Sequence, residues 1–132
     1  MSQAALDVMR RFVELWNDGD LDAFAGPFAA DSELITDPSW MEPGPFRGRA
    51  AIGRWFEGLQ ESWDAETLVL RQLFEADEKA VVRLEWEVRG RTSGIETELD
   101  VTSVNTIADG QIVRQQYFFD HAEALKAVGL EE

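Results

Sequence analysis

Leu6, Met9, Val13 and Trp16 recur at helical spacing, with Ala5 and Phe12 beside them and Asp7, Arg10, Arg11 and Glu14 on the opposite side. The pattern predicts an amphipathic helix from Ser2 to Asn17. Asn17-Asp18-Gly19 supplies its stop, because glycine takes the left-handed backbone of a helix cap without a steric cost. Asp20 is then placed to cap a short second helix carrying Leu21, Phe24 and Phe28, which Gly26-Pro27 kinks or ends. Glu33 to Thr36 reads as a short strand closed by Asp37-Pro38, since a residue before proline is pushed to extended geometry. A loop rich in proline and glycine follows from Pro38 to Gly48, and Ile52, Trp55, Phe56, Leu59 and Trp63 mark a third amphipathic helix.

Beyond that helix the period changes to two. Strands are predicted at Glu66 to Glu75, Ala80 to Arg89, Glu96 to Ile107 and Gln111 to Phe119. Turn chemistry separates them at Ala76 to Lys79, Gly90 to Gly94 and Asp109-Gly110, and such short turns imply antiparallel neighbours. Val82, Leu84, Trp86 and Val88 alternate with Arg83, Glu85, Glu87 and Arg89, so one face of that strand is core and the other is wet or paired. Asp120 and Glu123 have the spacing of a capping box opening a last helix, Ala122 to Val128, which Gly129 ends. Helices followed by a long antiparallel sheet is an α+β order, in which helices cover one face of the sheet.

The 132 residues and 45% hydrophobic content suit a single domain spanning 1–132 with one core. Without cysteine there is neither a disulfide framework nor a thiolate metal site, and no metal or cofactor motif is found. No charged-then-apolar leader and no long apolar run is seen, so a soluble protein in the cytoplasm is the expectation. A net charge of −14, from 26 acidic and 12 basic residues, argues against nucleic acid or an anionic membrane as partner. It mildly favours neutral or cationic ligands, and otherwise serves solubility.

Phe12-Val-Glu-Leu-Trp16, Gly19-Asp20-Leu-Asp22, Phe28-Ala-Ala-Asp31, Thr36-Asp37-Pro38 and Phe46-Arg-Gly48 with Ile52 resemble the amino-terminal half of ketosteroid isomerases and SnoaL-like proteins of the nuclear transport factor 2-like superfamily. Leu99 to Val104, Asp109-Gly-Gln-Ile112, Tyr117-Phe-Phe-Asp120 and the tail Ala124 to Leu130 are similar to the other half. The resemblance implies a cone: a bent antiparallel sheet wrapped around three amino-terminal helices, with a short carboxy-terminal helix, a pocket at the open end, and a homodimer formed through the outer sheet face. The mixed charges of Arg83, Glu85, Glu87 and Arg89 are placed to pair across such a two-fold axis.

This fold hosts several chemistries, so function has to be argued from the site. Asp37 matches the isomerase base, whereas the two oxyanion donors fall at Phe12 and Ser103, which leaves one weak donor. The limonene-type epoxide hydrolase network falls at Leu84, Trp86 and Tyr117, with Arg83 and Glu85 one residue off and hence on the opposite face. Dehydratase-like chemistry needs pocket histidines, and the sole histidine, His121, stands in the last capping turn, where a solvated role is the plainer reading.

By the resemblance, Trp16, Phe56, Trp86, Val101, Tyr117 and Phe119 line the pocket, Phe12 faces it, and Trp40 and Met41 lie over its mouth. Asp37, Ser103, Asn105, Gln115 and Tyr117 are the candidate polar groups, and an apolar cleft with a few polar groups is the usual small-molecule site. Asp37 among aromatic rings would be desolvated toward a proton-exchanging carboxyl, with Tyr117 or Ser103 polarising a carbonyl. Against this, aspartate before proline is a common turn former, the tryptophans suit a plain core, and Arg47 and Arg49 are read as structural. The expected ligand is a neutral hydrophobic molecule, acted on by proton transfer in an isomerase, cyclase or lyase. The alternatives are binding without turnover, and an assembly domain that works through its outer sheet face.

Overall fold

In the computed structural model, the residues described are 3–18, 26–38, 44–76, 79–90 and 96–130. The chain opens on α1 (Gln3–Asp18), which buries Ala5, Met9, Phe12, Val13 and Trp16 and leaves Asp7, Arg10, Arg11 and Glu14 exposed. Next come β1 (Phe28–Ile35), a two-residue β2 (Phe46–Arg47) and α2 (Arg49–Ser62). Three long strands follow, β3 (Trp63–Ala76), β4 (Lys79–Gly90) and β5 (Glu96–Ala108), then β6 (Gln111–Phe118) and α3 (His121–Ala127). Among the described residues, no helix is long and apolar enough to cross a membrane.

All six strands form one sheet in the order β2-β1-β6-β5-β4-β3. Register shifts insert bulges in β3, at Trp63/Ala65 and Leu70/Gln72, in β1, between Phe28 and Glu33, and in β6, where Val113 is the extra residue opposite Thr106/Ile107. Each bulge bends its strand and adds local twist, so the sheet curves around what covers its inner face. Ala80, Val82 and Leu84 of that face pack with Met9, Phe12 and Trp16 of α1 and Ile52 and Phe56 of α2 in the main core. A smaller cluster forms on the outer face, where Ala124 and Val128 of α3 cover Val81 and Val104.

The α+β cone expected from the sequence is present, with three corrections. The sheet is mixed, because β1 runs parallel to β6 while the other neighbours are antiparallel. Phe28, expected on a second helix, is instead the first residue of β1 and 0% exposed. It is held there by the long-range pairing and by Ile112 N–H donating to the Pro27 carbonyl at 2.7 Å. The rest of that short helix, residues 20–25, lies outside the described residues. Trp63, expected on the third helix, opens β3 opposite Gly90.

Candidate functional site

β1 ends at Ile35, and the next two residues reach the open end of the cone. The Thr36 hydroxyl accepts a hydrogen bond from Gly44 N–H at 3.0 Å, which ties together the two sides of residues 39–43. Glycine is required at 44, since a Cβ there would lie 2.8 Å from the Leu34 carbonyl oxygen. Asp37 Oδ2 accepts from the backbone N–H of Phe119 at 3.0 Å, joining the end of β1 to the end of β6 across 82 positions of sequence. That is not the local bond of a turn-forming aspartate. The carboxylate is an inter-strand latch whose position is set by the parallel pairing of β1 and β6.

A cavity of about 70 Å³ lies between the inner sheet face, α1 and α2. Of the residues singled out in the sequence, Phe12 and Trp16 of α1, Phe56 of α2, Trp86 of β4, Val101 of β5, and Asp37, Tyr117 and Phe119 border it. Thr36, Trp55, Leu59, Leu68 and Leu84 complete the wall and were not among the expected lining residues. Trp55 could have been found: it shares the apolar stripe of α2 with Ile52, Phe56 and Leu59. Trp40 and Met41 lie outside the described residues. Of the positions onto which the sequence resemblance maps the polar groups of isomerases and epoxide hydrolases, Phe12, Leu84, Trp86 and Tyr117 stand at this wall and Ser103 does not.

The rings brace one another. Phe12 and Phe56 meet edge to face at 5.9 Å between centroids, Trp16 and Phe56 at 5.6 Å, and Trp55 and Phe56 at 4.9 Å. Tyr117 leans on Trp55 at 6.3 Å. Burial pushes the Tyr117 phenol well above its ordinary value, so the group stays protonated across the physiological range and can only be a neutral donor or acceptor there.

Ser103, Asn105 and Gln115 share the inner face with Val101 and Tyr117 but do not border the cavity. Gln115 Nε2 donates to Asn105 Oδ1 at 2.8 Å, and Asn105 Nδ2 donates to Ser103 Oγ at 3.0 Å and to the Ala80 carbonyl at 3.2 Å. All three side chains are at most 1% exposed. They form a buried network beneath the cavity, and the Ser103 hydroxyl is occupied within it.

The outer face holds the remaining polar chemistry. His121 Nδ1 and Thr102 Oγ1 share a hydrogen bond of 2.8 Å there, away from the cavity wall. Arg83 forks onto Asp100 at 3.1 and 2.6 Å, and Arg71 Nε donates to Glu85 at 2.7 Å. The hydrogen bond with Arg83 holds Asp100 below the usual carboxylate range. Glu85, Glu87 and Glu98 converge to within 4.8 Å of one another. A hydrogen bond with Glu85, together with its charge, holds the Glu98 carboxyl above the usual range. Arg49 donates from Nε and Nη2 to the Phe28 carbonyl at 2.9 and 2.8 Å, and Arg47 pairs with Glu33 at 3.1 Å. Both arginines are thus engaged with groups of β1.

The SnoaL-like domain model matches residues 9–115. Among solved structures, the chain is similar to a nuclear transport factor 2-like protein of Burkholderia pseudomallei, at 19% identity and TM-score 0.79 over 97% of this chain and 98% of that one. It is similar to a candidate SnoaL-like polyketide cyclase of Jannaschia, at 16% identity and TM-score 0.78 over 100% and 98% of the two chains. A candidate polyketide cyclase of Sinorhizobium meliloti shares 25% identity at TM-score 0.67, over 85% of this chain and 94% of that one. No curated protein sequence matches the chain. With the family model covering most of its length and the cone fold in place, the chain belongs to the SnoaL-like domain family.

Proposed function

We propose that the cavity is the site of a cofactor-independent enzyme of the isomerase or cyclase kind, which moves a proton on a hydrophobic substrate carrying a carbonyl. The observation that carries this reading is the presence of a carboxylate, Asp37, and a protonated phenol, Tyr117, on one otherwise almost wholly apolar wall. Asp37 takes the proton from carbon, the electron pair moves onto the carbonyl oxygen, and the Tyr117 hydroxyl donates a hydrogen bond to that oxygen. The latch to Phe119 N–H fixes the direction of the carboxylate. Ser103 has no part in this scheme, because its hydroxyl belongs to the buried network. A space of about 70 Å³ is small beside a polycyclic or terpenoid skeleton, so such a substrate inserts one edge rather than its whole skeleton.

The test is deuterium wash-in from heavy water at the carbon beside the carbonyl, followed by NMR over a panel of neutral cyclic ketones and enones. Wild-type protein is expected to catalyse the exchange on at least one of them. Asp37→Asn keeps an acceptor for Phe119 N–H and removes the basicity, so the rate should fall at least ~10²-fold while affinity and melting temperature stay nearly constant. Exchange unaffected by the substitution overturns the reading. The latch also favours a second reading, binding without turnover, in which Asp37 serves shape alone. Exchange with no member of the panel, combined with saturable binding, is its signature. A homodimer through the outer sheet face is part of the same proposal.

A further inference from the structure

We infer that the cavity is a site for organic cations, taking a compact tertiary or quaternary ammonium group of its ligand. This rests on reading the cavity as a ligand site, and does not require Asp37 to act as a base.

Chemistry, size and field lead to it. Three indoles, Trp16, Trp55 and Trp86, stand in the wall with four further aromatic rings, and indole is the aromatic side chain that attracts cations best. The rings do not lie parallel: Phe12, Trp16 and Trp55 each meet Phe56 at 68 to 69°. Aromatic rings border the space from α1, α2, β4 and β6, on more than one side, as in a cage for an alkylated ammonium. Among the described residues at the wall, Asp37 is the one charged group, and none is a lysine, arginine or histidine. A space of about 70 Å³ suits a compact head group. The chain's −14 net charge raises the local concentration of cations and repels anionic ligands. A bare metal ion does not fit this wall, because hard cations need several oxygen ligands and one carboxylate stands here. An alkylated ammonium does fit: its charge is spread over carbon, and it is drawn by π faces and carboxylate together.

Choline and 3,3-dimethylbutan-1-ol have the same shape and differ in the central atom, nitrogen against carbon. Both are titrated into the protein by calorimetry and tryptophan fluorescence, at ~0.15 M salt, where charges beyond about 8 Å are largely screened. Choline should bind at least tenfold more tightly than the alcohol. Asp37→Asn and, separately, Trp86→Leu should each remove most of that preference, the first leaving affinity for the alcohol unchanged. Glu98→Gln, on the outer face, should change neither affinity. Melting curves of the variants establish that they fold, and Trp55→Leu replaces Trp86→Leu if the latter does not. Equal affinity for the two probes overturns the cation site while leaving a ligand cavity in place. If neither probe binds, the cation site is overturned, and the deuterium exchange on neutral ketones decides the ligand-site reading separately. A choline affinity lost in Glu98→Gln and kept in Asp37→Asn overturns the inference by placing the cation on the outer acidic cluster.

Discussion

Asp37 illustrates what a single residue owes to chain order and what it owes to contacts far away in sequence. Its place after β1 and before Pro38 is visible in the sequence, but its partner, the backbone of Phe119, follows from a parallel pairing that no local pattern announces. The inward positions Val101, Ser103 and Asn105 raise a related question. Alternation with period two places all three on the inner face. Which of them meets the cavity depends on where α1 and α2 lie across the sheet, and that is tertiary information. Val101 borders the cavity, whereas Ser103 and Asn105 lie beneath it and satisfy each other. Asn105 is the hub of that network, joined to Gln115, Ser103 and Ala80, so Asn105→Ala strips partners from several buried groups. Leaving buried polar groups unpaired costs about 1–3 kcal/mol each. Chemical unfolding should therefore show Asn105→Ala more destabilised than Ser103→Ala, with ligand binding at the cavity kept in both. Equal losses would show that Asn105 is not the hub, and loss of binding in Ser103→Ala would show that Ser103 works at the cavity.

Elements with local signatures were legible, and those defined by distant pairing were not. Asp109 and Gly110 take positive φ of 52° and 75°, as a two-residue hairpin turn requires, and Ala108 pairs with Gln111 across them. Gly129, at φ 80°, ends α3: its N–H reaches the Lys126 carbonyl at 3.0 Å, and Leu130 N–H reaches that of Leu125 at 2.8 Å. Only the end of β1, Glu33 to Ile35, and nothing of β2 is legible in the sequence, because a parallel strand and a two-residue edge strand owe their existence to neighbours remote in sequence. The cap of α3 is a finer case. Asp120 does accept from Ala122 N–H at 2.9 Å, but Glu123 faces Lys126 at 3.5 Å instead of returning a bond to residue 120. The capping box is therefore only half formed. Asp120→Ala should cost about 1 kcal/mol of stability in thermal or urea melts. Glu123→Ala should change stability by less than half of that, because an exposed pair one helical turn apart contributes little. A comparable loss in both would mean that the reciprocal bond forms in solution.

At the scale of the whole molecule, composition conveyed the sign of the field, and the structure shows where it concentrates. Arg83 and Glu85 were expected to find partners across a two-fold axis, yet each is already engaged within the chain, with Asp100 and Arg71. What the outer face presents instead is the convergence of Glu85, Glu87 and Glu98, alongside a region already covered by α3. A homodimer through this face brings two such clusters together on protomers that each carry a charge of −14, so association works against like-charge repulsion. The hydrogen bond between Glu85 and Glu98 raises Glu98 and lowers Glu85, so of that pair Glu98 takes up a proton first as pH falls. Sign and mechanism then fix how association responds. Adding salt screens the repulsion, and lowering pH from neutral toward the Glu98 value neutralises part of it, so both should raise the dimer fraction. Glu98→Gln should do so at neutral pH and low salt, because the amide removes one charge from each side. Light scattering at micromolar protein measures all of these as mass. A dimer that dissociates as salt is added would place the interface on attractive ion pairs instead, and a monomer under every condition would overturn the homodimer.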